Sequence, residues 1–122
     1  MIKPFQMTVS ILGTPYYTVR CTSASQEPRL RRCDGFCDKS SHLICVKNWA
    51  EDSDLDDPTV YVRHCFRHEV AHAFFFESGL HENWEHQPAG QEELVVDWIA
   101  AQFHKMYSVI CKIENRINKE TV

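Results

Sequence analysis

The sequence has no surplus of positive charge: Lys and Arg number 13 against 17 Asp and Glu, a formal net charge of −4. That balance offers no broad face for neutralising phosphates, although Arg29, Arg31 and Arg32 form a small local cluster. Nucleic acid is not expected as a main partner. Residues Met1 to Leu12 lack an unbroken apolar run, being interrupted by Lys3, Pro4, Gln6, Thr8 and Ser10, so neither a signal peptide nor a membrane span is expected there. The expected address is the cytoplasm, with no membrane partner. Without an export signal, the six cysteines are expected as reduced thiols rather than as three bridges. Internal repeats and low-complexity tracts are also missing, which leaves a series of elements in one compact unit.

What remains is the composition of an ordinary globular domain. Apolar residues at 43% and charged residues at 25% sit far from disordered or membrane compositions. A chain of 122 residues supports one modest core, so residues 1–122 are read as a single domain.

Met7 to Leu12 alternates polar and β-branched residues, Gly13-Thr14-Pro15 interrupts it, and Tyr16 to Cys21 resumes, which predicts a hairpin. Thr22 to Arg32 is polar, contains Pro28 and reads as an exposed connection. Asp34-Gly35 signals a turn before a third strand over His42 to Val46. Glu51 to Asp57 reads as a solvated acidic loop, because a calcium loop of the EF-hand kind would need a glycine that is missing.

Asp57-Pro58 is a helix start, an N-cap followed by a residue pre-shaped for the first helical position. The helix should run to about Ser78 and stop at Gly79. Val62, Cys65, Phe66, Glu69, Ala73, Phe76 and Leu80 follow helical spacing and form its expected core flank. After a polar loop over Leu80 to Gly90, a second helix is predicted from Gln91 to about Tyr107, with Val109 to Lys119 a third helix or its continuation. Strands first and helices second give an α+β fold, with a small, mostly antiparallel sheet of about three strands.

The chemistry concentrates in His68-Glu69-Val70-Ala71-His72, an HExxH motif inside the long helix. Residues four apart share a helix face, so both imidazoles can bind one ion, with Glu69 swung to its side as a general base toward water activated by the metal. A catalytic zinc takes three protein ligands and leaves a position open. Glu93, in the ExxxD formed with Asp97, supplies the third, and Asp97 one turn on can accept a hydrogen bond from a ligand histidine. Glu92 is the rival ligand, since helix phase alone does not separate neighbouring carboxylates; Glu93 is preferred for its spacing to Asp97.

HExxH followed by ExxxD resembles the gluzincin pattern of thermolysin-like peptidases. In compact form the chain is similar to the ImmA/IrrE-type metallopeptidases and to short zincin-like proteins of phages and prophages. The resemblance is strongest from Val62 to Phe103, including Glu77-Ser78-Gly79-Leu80 and Asp97-Trp98-Ile99-Ala100. Ile11-Leu12-Gly13-Thr14 and Asp34-Gly35-Phe36-Cys37-Asp38 also look like segments of those proteins. It implies a minimal zincin-like fold with one zinc ion between two helices and a peptide substrate laid along the sheet edge. Relatives of the ImmA/IrrE type often carry a partner regulator or a DNA-binding segment, for which this chain is too short. A protein or peptide substrate is the expected partner, and the ImmA-type resemblance points to a regulator. The competing expectation is a catalytically inactive zinc-binding regulatory module.

Other residues carry weaker signals. His64, one turn before His68, reads as a structural histidine outside the site. His81, His86, Tyr61 and Tyr107 are candidates for steadying an oxyanion, and the sequence does not choose among them. Cys33, Cys37, His42 and Cys45 could form a second, structural zinc site, against which stand a loose CxxxC spacing and a strand-like context. Phe74, Phe75, Phe76 and Trp98 are read as core packing.

Overall fold

The structure, a computed structural model, describes residues 2–49, 54–80 and 92–121; within these, the side chains of residue 15 and of residues 92–94, 96, 97 and 100 are not described. Strands β1 (Phe5–Ile11), β2 (Thr14–Thr22), β3 (Gly35–Asp38) and β4 (Leu43–Lys47) precede helices α1 (Pro58–Ser78) and α2 (Glu92–Glu120), with one turn of 3-10 helix at Pro28–Arg31. The fold is α+β, as its segment order suggests.

The sheet has four strands where about three were expected, in the order β1-β2-β4-β3. It is mixed: β1/β2 and β3/β4 are antiparallel and β2/β4 are parallel. Leu12 and Gly13, at φ 50° and 84°, make the two-residue hairpin turn whose positive φ values match strand twist. Tyr16, at φ 78°, faces the register shift between Val9 and Ile11.

Strand β3 is short and half-buried throughout, so it carries no alternation to read; its pairing with β4, Phe36 to Cys45 and Cys37 to Ile44, is what makes it a strand. The connection before it is not wholly exposed. Leu30 in the 3-10 turn is fully buried, and Arg29 lies 4.2 Å over the Phe36 ring.

Alternation gives the sheet one core face. Val19 and Cys21 of β2 pair with Ile44 and Val46 of β4 along that face, Tyr17 pairs there with Val9 of β1, and all are buried. Against it packs the stripe of α1 formed by Val62, Cys65, Phe66, Glu69, Val70, Ala73 and Phe74. Phe66 also stacks on Phe5 at 6.1 Å, and truncating so buried an aromatic costs about 3–5 kcal/mol.

Both ends of α1 are set locally. The Asp57 side chain accepts from the Thr59 N–H at 3.1 Å, Pro58 follows the cap, and Gly79 closes the helix at φ 79°. Helix α2 continues unbroken to Glu120, because no Gly or Pro interrupts it after Glu92. Val109, Ile113 and Ile117 bury one stripe of its C-terminal half. Its end is clasped by the start of the chain, where Ile2 bridges Thr121 and the Lys3 N–H donates to the Glu120 carbonyl at 3.0 Å. No helix among the described residues is long and apolar enough to cross a membrane.

Candidate metal centre

Helix α1 carries two adjacent stripes with different work. Glu69 falls on the core-facing stripe and is 7% exposed, whereas His64 and His68 are exposed and His72 is half-buried on the next stripe. Four-residue spacing brings the rings of His68 and His72 to 4.8 Å, nearly edge-on at 72°, with their Nε2 atoms 3.1 Å apart. Among the described residues, His68, Glu69 and His72 form the group of metal-ligating side chains whose ligand atoms converge, all within 4.8 Å of one another.

Two zinc–nitrogen bonds of about 2.0–2.1 Å at a tetrahedral angle would separate the nitrogens by roughly 3.3 Å. The observed 3.1 Å is close to that separation. The donor set, two imidazoles beside a carboxylate, also suits zinc.

Burial raises the Glu69 pKa above the ordinary carboxylate value, and nearby His68 partly counters this. His72 is pushed the other way, first by burial and then by the neighbouring His68 charge. The consequence is an imidazole that stays neutral, lone pair available, beside a carboxylate with enhanced proton affinity.

A cleft of about 290 Å³ opens beside Glu69. Tyr61, His64, Cys65, His68 and Glu69 of α1 form one wall, and Asp34 and Gly35 at the start of β3 form the other. Gly35 is required by closeness: a Cβ there would meet the Cys45 carbonyl oxygen at 3.1 Å, Val46 Cγ2 at 3.2 Å and Glu69 Oε2 at 3.4 Å. Tyr61 donates its hydroxyl proton to Asp34 Oδ2 at 2.5 Å, and that bond is the main reason its pKa is raised. Lys47 Nζ lies 3.9 Å from the other Asp34 oxygen.

His64, read from the sequence as a structural histidine, lines this cleft. Asp34 and Gly35 read locally as a turn, and nothing local in the sequence joins them to Glu69. Of the remaining oxyanion candidates, Tyr107 stands exposed on α2, stacked on Phe103 at 6.3 Å, while His81 and His86 lie outside the described residues.

The aromatic residues divide. Phe74 is core, as expected. Phe76, expected on the core flank, is instead half-buried and stacked on His72 at 6.1 Å, with Lys39 Nζ 5.6 Å from its ring centre. Phe75 packs on Trp98 at 4.7 Å, and Trp98 Nε1 donates to Ser78 Oγ at 3.0 Å. These contacts dock the first half of α2 against the end of α1. The backbones of Glu92, Glu93 and Asp97 lie in those first turns, but their side chains lie outside the described residues.

Cys33, Cys37, His42 and Cys45 are not gathered into a ligand set among the described residues. Cys37 pairs across the sheet with Ile44 and Cys45 with Phe36, so the two thiols project from opposite faces. His42 packs against Tyr17, ring centres 4.9 Å apart. All six cysteines are free thiols, and burial pushes the pKa of Cys37 up to about 12 and of Cys45 to about 11.

Comparison with protein-family profiles, curated proteins and solved structures finds no match to this chain.

Proposed function

We propose that this chain is a compact, cytoplasmic zinc-dependent endopeptidase with a minimal zincin-like fold. The observation that carries the reading is a pair of imidazole nitrogens 3.1 Å apart beside a buried carboxylate that opens onto a cleft at the sheet edge.

In this reading His68 and His72 hold one zinc ion, Glu93 of α2 is the third protein ligand, and Asp97 orients a ligand histidine by accepting its ring N–H. Bound there, zinc supplies Lewis acidity that draws the pKa of water toward neutrality and polarises the scissile carbonyl. Glu69 takes a proton from the attacking water as the new C–O bond forms. It returns that proton to the amide nitrogen as the C–N bond breaks, leaving a carboxylic acid and an amine. In the metal-free protein burial raises the Glu69 pKa, the direction that makes a carboxylate the better base.

Strand β3 pairs with β4 alone among the described strands, so its outer backbone groups can receive an extended peptide whatever its sequence. A regulatory protein is the substrate suggested by the ImmA-type resemblance.

Elemental analysis of the purified protein tests the metal, and cleavage of labelled casein tests the activity. About one zinc per chain, lost in His72→Ala and in Glu93→Ala, supports the centre. Casein cleavage by the wild type but not by Glu69→Gln supports the peptidase. A zinc-loaded wild type without cleavage favours a zinc-binding interaction module, and a wild type that takes up no zinc removes both readings.

A further inference from the structure

The peptidase reading leaves one chemical role unfilled: a donor for the oxygen that becomes negative when water adds to the peptide carbonyl. We infer that His64 supplies it, held in place by the Tyr61–Asp34 pair; the inference rests on the peptidase reading.

Among the described residues, the cleft beside Glu69 offers few side-chain donors. Tyr61 has one hydroxyl proton and gives it to Asp34 at 2.5 Å, so it has none for a substrate. Cys65 is buried and its thiol is a weak donor. His68 is assigned to the metal. His64 is different on each count. It lines the same cleft, it is exposed, and among the described residues neither of its ring nitrogens has a hydrogen-bond partner.

Its ring also has an aromatic neighbour. Tyr61 stacks on it with centres 6.2 Å apart and planes at 23°. Tyr61 in turn is pinned by Asp34 and by Trp49, which meets it edge-on at 5.9 Å. Preorganisation of this kind is what an oxyanion donor needs, since a group that must reorient during reaction returns part of its benefit. Helix spacing sets His64 one turn from His68 on the same stripe, so a carbonyl lying between Glu69 and His68 has an imidazole N–H as its next neighbour along α1. Tyr61 and Asp34 are positioning residues here, because they act through His64.

The test uses zinc-loaded full-length protein and two probes. N-phosphoryl-leucyl-tryptophan carries a tetrahedral phosphoryl group that mimics the addition product; acetohydroxamate binds zinc without that geometry. His64→Ala is expected to keep its zinc and its acetohydroxamate affinity, to bind the phosphoryl probe at least about tenfold more weakly, and to lose roughly 100-fold in kcat on casein with KM little changed. His64→Gln, which restores an N–H donor and guards against misfolding of the alanine variant, should recover part of both losses. Tyr61→Phe should keep the stack and show a smaller loss in kcat.

Phosphoryl-probe affinity and kcat within twofold of wild type in His64→Ala overturn the inference while leaving the peptidase intact. Equal losses for both probes also overturn it, since they mean a disturbed metal centre. A zinc-loaded wild type that neither cleaves casein nor binds the phosphoryl probe removes the peptidase reading and this inference together.

Discussion

Gly35 approaches Glu69 so closely that a Cβ on the glycine would stand 3.4 Å from Glu69 Oε2 and 3.1 Å from the Cys45 backbone oxygen. The edge strand and the carboxylate therefore share one small volume. Gly35→Ala should cost about 1–3 kcal/mol in chemical denaturation, because its tightest neighbour is backbone that cannot rotate away. It should also depress casein cleavage by shifting Glu69, without removing zinc. Stability and turnover both unchanged would show that the strand is looser than the geometry indicates.

Glu69 and His72 give the metal-free protein opposing pH dependences. Glu69 has a raised folded-state pKa, so its contribution to stability is fully present below about pH 4.5 and is lost as pH rises through the folded value. His72 has a lowered one, so its contribution is present above about pH 6.5 and is lost as pH falls through the folded value. Thermal melts in chelator should show that Glu69→Gln gains stability relative to wild type as pH rises above about 4.5. His72→Gln should flatten the loss seen on acidification below about 6.5. Parallel melting curves for wild type and variants across this range would contradict both shifts.

Zinc should stabilise the fold as well as load the site, since a ligand bound to the native state alone raises its stability by mass action. Chelation is expected to lower Tm, and added zinc to restore it, in wild type and in Glu92→Ala but not in Glu93→Ala. Asp97→Ala should weaken zinc binding by about 10–100-fold in competition titrations. Loss of zinc in Glu92→Ala with retention in Glu93→Ala would reverse the assignment of the third ligand.

Trp98 and Ser78 give a separate handle on the same ligand. Their 3.0 Å hydrogen bond and the Phe75–Trp98 contact dock the first half of α2 on α1. Ser78→Ala should cost about 0.5–1.5 kcal/mol and lower zinc affinity measurably, although Ser78 itself carries no ligand. Zinc affinity equal to wild type in that variant would indicate that no ligand comes from α2.

Local signals made much of the architecture readable before the structure. Asp57-Pro58 and Gly79 bracket α1 because caps act within a turn of their own position, and the HExxH spacing follows from helix geometry alone. What escaped depends on distant partners. Strand β3 is defined by β4, the cleft by the approach of Gly35 to Glu69, and the place of His64 by Tyr61, whose orientation is set by Asp34 far back in the sequence. The thiols Cys37 and Cys45 look close along the chain, yet strand pairing sends them to opposite faces. An absence of breakers permits either one helix or two after Glu92, and packing of Val109, Ile113 and Ile117 on the core accompanies the single α2.

The clasp of Ile2 on Thr121 and of Lys3 on Glu120 joins segments separated by almost the whole chain. Contacts of that span reward folding only after a large loop has been closed, so they belong to its late stages, after the hairpins and α1 have formed. Once made, they tie β1 to the end of α2, and neither can open alone without breaking the same hydrogen bonds. Native-state exchange should therefore report the first strand and the last turns of α2 as one cooperative unit, while the β3–α1 cleft opens and closes on its own account.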